Sequence, residues 1–132
     1  MKIGELATRA GVPIDTVRYY ERQGLLPQPP RQPSGYRSFQ ASDVVRLRFV
    51  KRAKALGFTL EEVRDLLALS SRREDDMGSL KQAAQQKLAG VEAKLAELTR
   101  IRDGLRTLVQ ACPGHGALEA CPILHALDEE VQ

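Results

Sequence analysis

Residues 3–26 read IGELATRAGVPIDTVRYYERQGLL, and the reading of this stretch decides the fold. Leu6, Ala7 and Ala10 fall on one side of a short helix, which Gly11 breaks. A second helix is predicted over 13–23, opened by Pro13 at the first helical position, where its missing N–H costs nothing. Gly24 follows as a left-handed cap. Helix, glycine turn and helix make a helix-turn-helix. The same pattern serves any helical hairpin, so its meaning depends on what surrounds it.

Downstream, four prolines between Pro27 and Pro33 forbid regular structure. Ser34-Gly35 signals a turn, and 36–39 can form a short strand. An arm of this kind carrying Arg31, Tyr36 and Arg37 has the make-up of a DNA-contacting wing, and equally of a plain surface loop. A third helix, capped by Ser42, is expected to run to about Leu56 with a basic edge of Arg46, Arg48, Lys51, Arg52 and Lys54. Gly57 ends it. Thr59-Leu60-Glu61-Glu62 then spells a capping box, in which the Thr59 hydroxyl and the Glu62 carboxylate each satisfy a free N–H. Phe58 and Val63 supply the accompanying apolar staple, and the fourth helix reaches about Leu69.

After the polar SSRRED no proline occurs until Pro113. Apolar residues recur at Leu80, Ala84, Leu88, Val91, Leu95, Leu98, Leu105 and Leu108, in steps of three, four or seven, which is a coiled-coil seam. A helix over 76–111 is about 54 Å long at 1.5 Å per residue. Alone it exposes its seam to water, so it needs a partner helix, most simply from a second copy of the chain. Pro122 opens a last short helix over 123–127.

The bulk numbers agree. Charged residues make up 28% of the 132 and aromatics 5%, with no Trp, which favours a mainly helical, coil-bearing chain over a sandwich or barrel. No apolar run reaches membrane-spanning length and no signal peptide is visible, so the expected location is cytoplasmic, with no membrane partner and no lasting disulfide. The net charge of +3 hides an asymmetry: residues 1–75 hold 14 Lys and Arg against 9 Asp and Glu, residues 76–132 hold 6 against 8. A basic front half points to nucleic acid, with a solvated charged face as the plain alternative.

With these parts in place, the stretch IGELATRAGVPIDTVRYYERQGLLPQP, the later GYRSF and the LGFTLEEVRDLL that follows resemble the MerR family of transcription regulators, over essentially the whole chain. The resemblance implies a winged helix-turn-helix, an antiparallel dimerisation coiled coil and a C-terminal effector loop, divided as residues 1–75, 76–111 and 112–132. It implies a homodimer on double-stranded promoter DNA that bends and untwists the DNA when its effector is bound, so that RNA polymerase can use both promoter elements. By position it places Thr16, Arg18 and Tyr19 on the helix entering the major groove, with Arg18 suited to a base or phosphate contact. Tyr36 and Arg37 fall in the wing, against the phosphate backbone. Tyr20 is assigned to the core, since both sides of one helix cannot touch DNA.

Both cysteines lie in ACPGHGALEACP, residues 111–122. They bracket a loop with two glycines, and Cys121 precedes a helix N-terminus, where a thiolate is stabilised. Two thiolates make a soft site. Within the resemblance, this is where the metal sensors hold their ion. Sensors of divalent ions add a cysteine at the start of the long helix, where this chain has Met77, and the missing thiolate favours Cu(I), Ag(I) or Au(I). Against that, the loop is one residue longer than in copper sensors, and His115 is a borderline ligand for Zn(II), leaving Zn(II), Cd(II), Pb(II) or Hg(II) open. Met77 can offer a weak thioether or simply pack, and His125 reads as structural. An organic or redox effector is the remaining alternative. A metal carrier has no use for a DNA-reading head. An enzyme would need a third group to orient Cys121 and His115, and none is evident, so the chain reads as a regulator and not an enzyme.

Overall fold

The computed structural model describes residues 1–27, 38–72 and 77–129. In chain order it contains α1 (Ile3–Ala10), α2 (Ile14–Arg22), α3 (Ala41–Ala55), α4 (Leu60–Ser70), α5 (Gly78–Ala111), a 3-10 turn (Leu118–Ala120) and α6 (Pro122–Asp128). No strand occurs among the described residues. Of the strand expected over 36–39, Ser38 and Phe39 are irregular. Tyr36, Arg37 and the rest of the expected wing lie outside the described residues. The chain forms two compact units, Met1–Ala84 and Gln85–Gln132.

In the first unit α1 packs on α2 and α3, and α3 packs on α4. Leu6, Ala7 and Ala10 are the buried side of α1, as the spacing predicts. The chain leaves α1 through Gly11 at φ 72°, and the Val12 N–H returns to the Ala7 carbonyl at 3.0 Å. This closure needs a left-handed residue, and a Cβ there would meet the Lys51 Nζ at 3.0 Å. Pro13 stands one place earlier than predicted: it is the extended N-cap of α2, at ψ 153°, and its carbonyl receives the N–H of Thr16 and Val17. α3 begins before Ser42. Its N-cap is Gln40, whose N–H is taken by the Asp43 carboxylate at 2.8 Å, so the acid three places on replaces the expected serine cap.

The capping box of α4 forms as read. Glu62 N–H donates to the Thr59 hydroxyl at 3.2 Å and Thr59 N–H to the Glu62 carboxylate at 2.8 Å. Thr59→Ala should therefore lower unfolding free energy by about 1 kcal/mol. A denaturant midpoint unchanged from wild type would remove the cap from the stability account.

Leu6, Val17, Leu25, Leu26, Leu47, Val50 and Val63 are fully buried at the centre of this unit, and Ala83 from the second turn of α5 packs against the same core. Around the core, cations from α3 and α4 reach the carbonyls that end α1 and α2. Arg48 Nη2 donates to the Arg9 carbonyl at 2.8 Å, Lys51 Nζ to Gly11 at 2.7 Å, Arg46 Nε to Leu25 at 2.6 Å, and Arg64 Nη2 to Gln23. Carbonyls at helix C-termini lack helical partners and sit at the negative end of the dipole, so a cation there meets both needs. Much of the basic edge of α3 thus braces the fold.

In the second unit α5 buries no residue. Leu95, Leu98, Ile101, Leu105 and Val109 line a shallow groove along one side. Ile101 bridges the seven-residue step between Leu98 and Leu105, and Val109 extends the line. Leu108, read as part of the seam, is half-buried off the groove.

Candidate functional site

Two sets of residues matter, one in each unit. On α2, Val17, Tyr20 and Glu21 face the core, while Asp15, Arg18, Tyr19 and Arg22 are exposed and Thr16 is half-buried at the margin. The tyrosines divide as expected: Tyr20 is buried and Tyr19 exposed, their rings 5.8 Å apart and tilted by 47°. Burial, and secondarily Tyr19, pushes the Tyr20 hydroxyl above its ordinary pKa, so it stays neutral. Arg22 joins Arg18 on the exposed side one turn on. That neighbour is legible from the i, i+4 spacing alone.

The second set is the loop after α5. Pro113 follows Cys112 and stops the helix. Gly114 at φ 82° and Gly116 at φ 108° then reverse the chain. A side chain at either position would be strained, so the reversal depends on both glycines. The 3-10 turn carries the chain to Cys121, the N-cap of α6, with Pro122 in the first helical position. This brings the two thiols together: both are half-buried and free of disulfide, and the Cys112 side chain is near enough to favour the Cys121 thiolate.

The Cys121 thiol is held below its ordinary pKa. The Leu124 N–H is the main cause. Partial desolvation opposes it, and the Ile123 N–H and the Cys112 side chain add to the lowering. A thiol poised in this way, with a second sulfur beside it, gives two soft donors to a single ion.

The histidines face elsewhere. His115 is exposed and its Nδ1 lies 3.1 Å from the Pro113 carbonyl, within its own turn. His125 Nε2 reaches the Glu119 carbonyl at 2.5 Å, and the His125 backbone N–H donates to the Cys121 carbonyl at 3.1 Å, tying the 3-10 turn to α6. Among the described residues no cluster of three or more His, Cys, Asp or Glu is placed to share an ion. Met77 precedes α5, is 83% exposed, and belongs to the other unit. Within the second unit, then, Cys112 and Cys121 stand together, and His115 turns to the carbonyl of its own loop. No described helix is long and apolar enough to cross a membrane.

Residues 1–70 match the family described as MerR HTH family regulatory protein, and residues 44–108 the one described as MerR, DNA binding. The chain is 43% identical over 129 residues to the HTH-type transcriptional regulator HmrR of Rhizobium leguminosarum bv. viciae, covering 98% of each. It is 40% identical over 126 residues to the mercuric resistance operon regulatory protein of Bacillus cereus, covering 96% of each. Among solved structures it is similar to the transcription regulator PbrR691 of Ralstonia metallidurans CH34 in complex with lead(II). The TM-score is 0.85 and the identity 35%, over 96% of this chain and 98% of that one.

Proposed function

The chain belongs to the MerR family of transcription regulators, and from that premise we propose that it activates a promoter when Cys112 and Cys121 bind a soft metal ion. MerR regulators bind promoter DNA as dimers and are not enzymes. The pairing of two thiols at the end of the long helix, one of them with a lowered pKa, carries the metal reading.

On this reading the exposed side of α2 enters the major groove, with Arg18 and Arg22 toward bases or phosphates, Thr16 and Tyr19 beside them, and Tyr36 and Arg37 gripping the backbone from the wing. The bound ion supplies a bond between two sulfurs. Cys121 brings α6 and Cys112 the end of α5, so closing the pair fastens the short helix to the long one. A cytoplasmic setting keeps both thiols reduced.

For the ion, we favour Cu(I), Ag(I) or Au(I). Two sulfurs suffice for linear coordination, and no third ligand is gathered with them among the described residues of one chain. A divalent ion, Hg(II), Pb(II), Cd(II) or Zn(II), is the second reading, supported by relatives named for mercuric resistance and crystallised with lead(II). Transcription from the promoter beside the gene, with purified protein, RNA polymerase and separate salts of each ion, tests both. In the same assay His115→Ala should keep its response under the two-thiolate model. Under a nitrogen-containing divalent site it should lose about tenfold or more in metal sensitivity. No response to any of these ions would sink the metal reading.

A further inference from the structure

Two of the cation–carbonyl contacts differ from the rest in what they hold. Arg46 of α3 and Arg64 of α4 grip the carbonyls of Leu25 and Gln23, two residues apart on either side of Gly24, which turns the chain at φ 76°. Gln23 is the C-cap of α2. The same short segment leads out of the DNA-reading helix toward the expected wing. The exit of α2 is therefore the point these guanidiniums hold.

The two arms have different origins. α3 is packed into the middle of the unit, on α1 and α4. α4 is the last helix before α5 in chain order, and the start of α5 rests on this core through Ala83. A small shift at the start of α5 has α4 as its neighbour in sequence, and α4 touches the exit of α2 through Arg64. The Arg64 side chain is exposed, and the core of α4 is already closed by Val63, Leu66 and Leu67. Its guanidinium is thus not required to fill space, and what it contributes is direction.

We propose that Arg64 is a positioning residue: by bridging α4 to the Gln23 carbonyl it sets the attitude of the DNA-reading surface and passes the effector signal to it. This rests on the metal-responsive reading above. Arg48, which grips the Arg9 carbonyl at the end of α1, serves as the control, since it braces the fold without an arm from α4.

The test uses full-length protein on operator DNA, with silver(I) and mercury(II) salts in separate series. Arg64→Met keeps the apolar stem and removes the donors, and Arg64→Lys restores one donor at similar reach. Three quantities are read: metal affinity of the free protein, operator affinity with and without metal, and the ratio of transcription with metal to transcription without. Arg64→Met should bind metal within about twofold of wild type while its activation ratio falls about tenfold, and Arg64→Lys should recover most of that ratio. Arg48→Met should lower thermal stability and keep the ratio.

If wild type responds and Arg64→Met responds by the same ratio, the proposal is overturned. It is also overturned if Arg64→Lys is no better than Arg64→Met, or if operator affinity falls equally with and without metal while the ratio holds. Should Arg64→Met fail to fold, Arg64→Gln is read by the same criterion. Wild type that responds to neither ion overturns the metal-sensor reading itself, an outcome separate from failure of the Arg64 variants alone.

Discussion

Cys112→Ser and Cys121→Ser should each abolish metal-dependent activation while leaving the dimer and operator binding in place. A serine hydroxyl is close to the thiol in shape but is a hard, neutral donor, and a soft ion bound by two sulfurs loses half its ligands. The loss should exceed the ~10–100-fold typical of removing a mere outer support from a metal site. Cys121 gains from the Leu124 and Ile123 N–H groups, which favour its thiolate, so its replacement also removes the donor best prepared to bind. The rest of the molecule should not notice. Both cysteines lie in the loop beyond α5, and neither belongs to the core cluster of the first unit or lines the apolar groove. Competition titration against a chromophoric chelator gives the affinity, and gel shift on the operator gives the DNA arm. Full metal response in the double variant would leave the paired thiols without a function.

The second large effect concerns the dimer. Leu95→Asp should convert the protein to monomers at micromolar concentration and remove operator binding with them. Leu95 is 58% exposed on a 34-residue helix that has no fully buried residue within its own chain. It lies in the line of Leu88, Val91, Leu98, Ile101, Leu105 and Val109. Covering that line is what makes the helix stable in water. A carboxylate placed in the covered seam has no partner, and about 3 kcal/mol or more per copy is a modest figure for the cost. With two copies in each dimer the cost is about 6 kcal/mol, and because about 1.4 kcal/mol is tenfold in affinity, the dimer dissociation constant should rise about 10⁴-fold. Glu97→Ala, two residues on and on the other side of the helix, should change nothing. Sedimentation equilibrium reads the mass directly. A Leu95→Asp dimer that still binds operator would place the interface elsewhere on the chain.

How far these statements could be made before any coordinates varies from element to element. The turns at Gly11, Gly24 and Gly57 were legible because a left-handed residue closing a helix is decided within about five residues of chain. The Thr59–Glu62 box was legible for the same reason: both partners lie within one turn. The apolar line along α5 is a matter of period, and the groove on one side also holds Ile101 and Val109. In the loop, the two prolines and two glycines announced where α5 stops, where the chain reverses and where α6 starts. The N-cap of α3 is Gln40 and not Ser42: serine is the commoner cap residue, but Asp43 is better placed to take the Gln40 N–H.

What no local pattern contained is the use made of the cations. Arg46, Arg48, Lys51 and Arg64 sit in sequence as an ordinary basic edge, and their partners are carbonyls 21, 39, 40 and 41 residues away. Every residue carries a carbonyl, so nothing in residue type marks the four that are gripped; only the packing of α3 and α4 against the ends of α1 and α2 selects them. The thiol pair divides in the same way. That Cys112 and Cys121 bracket a reversing loop follows from residue types and spacing. That Cys112 and the Leu124 and Ile123 N–H groups all favour the Cys121 thiolate, and that His115 turns back on the Pro113 carbonyl, are decided by the path of the folded loop, because side-chain contacts depend on angles that the order of residues does not specify.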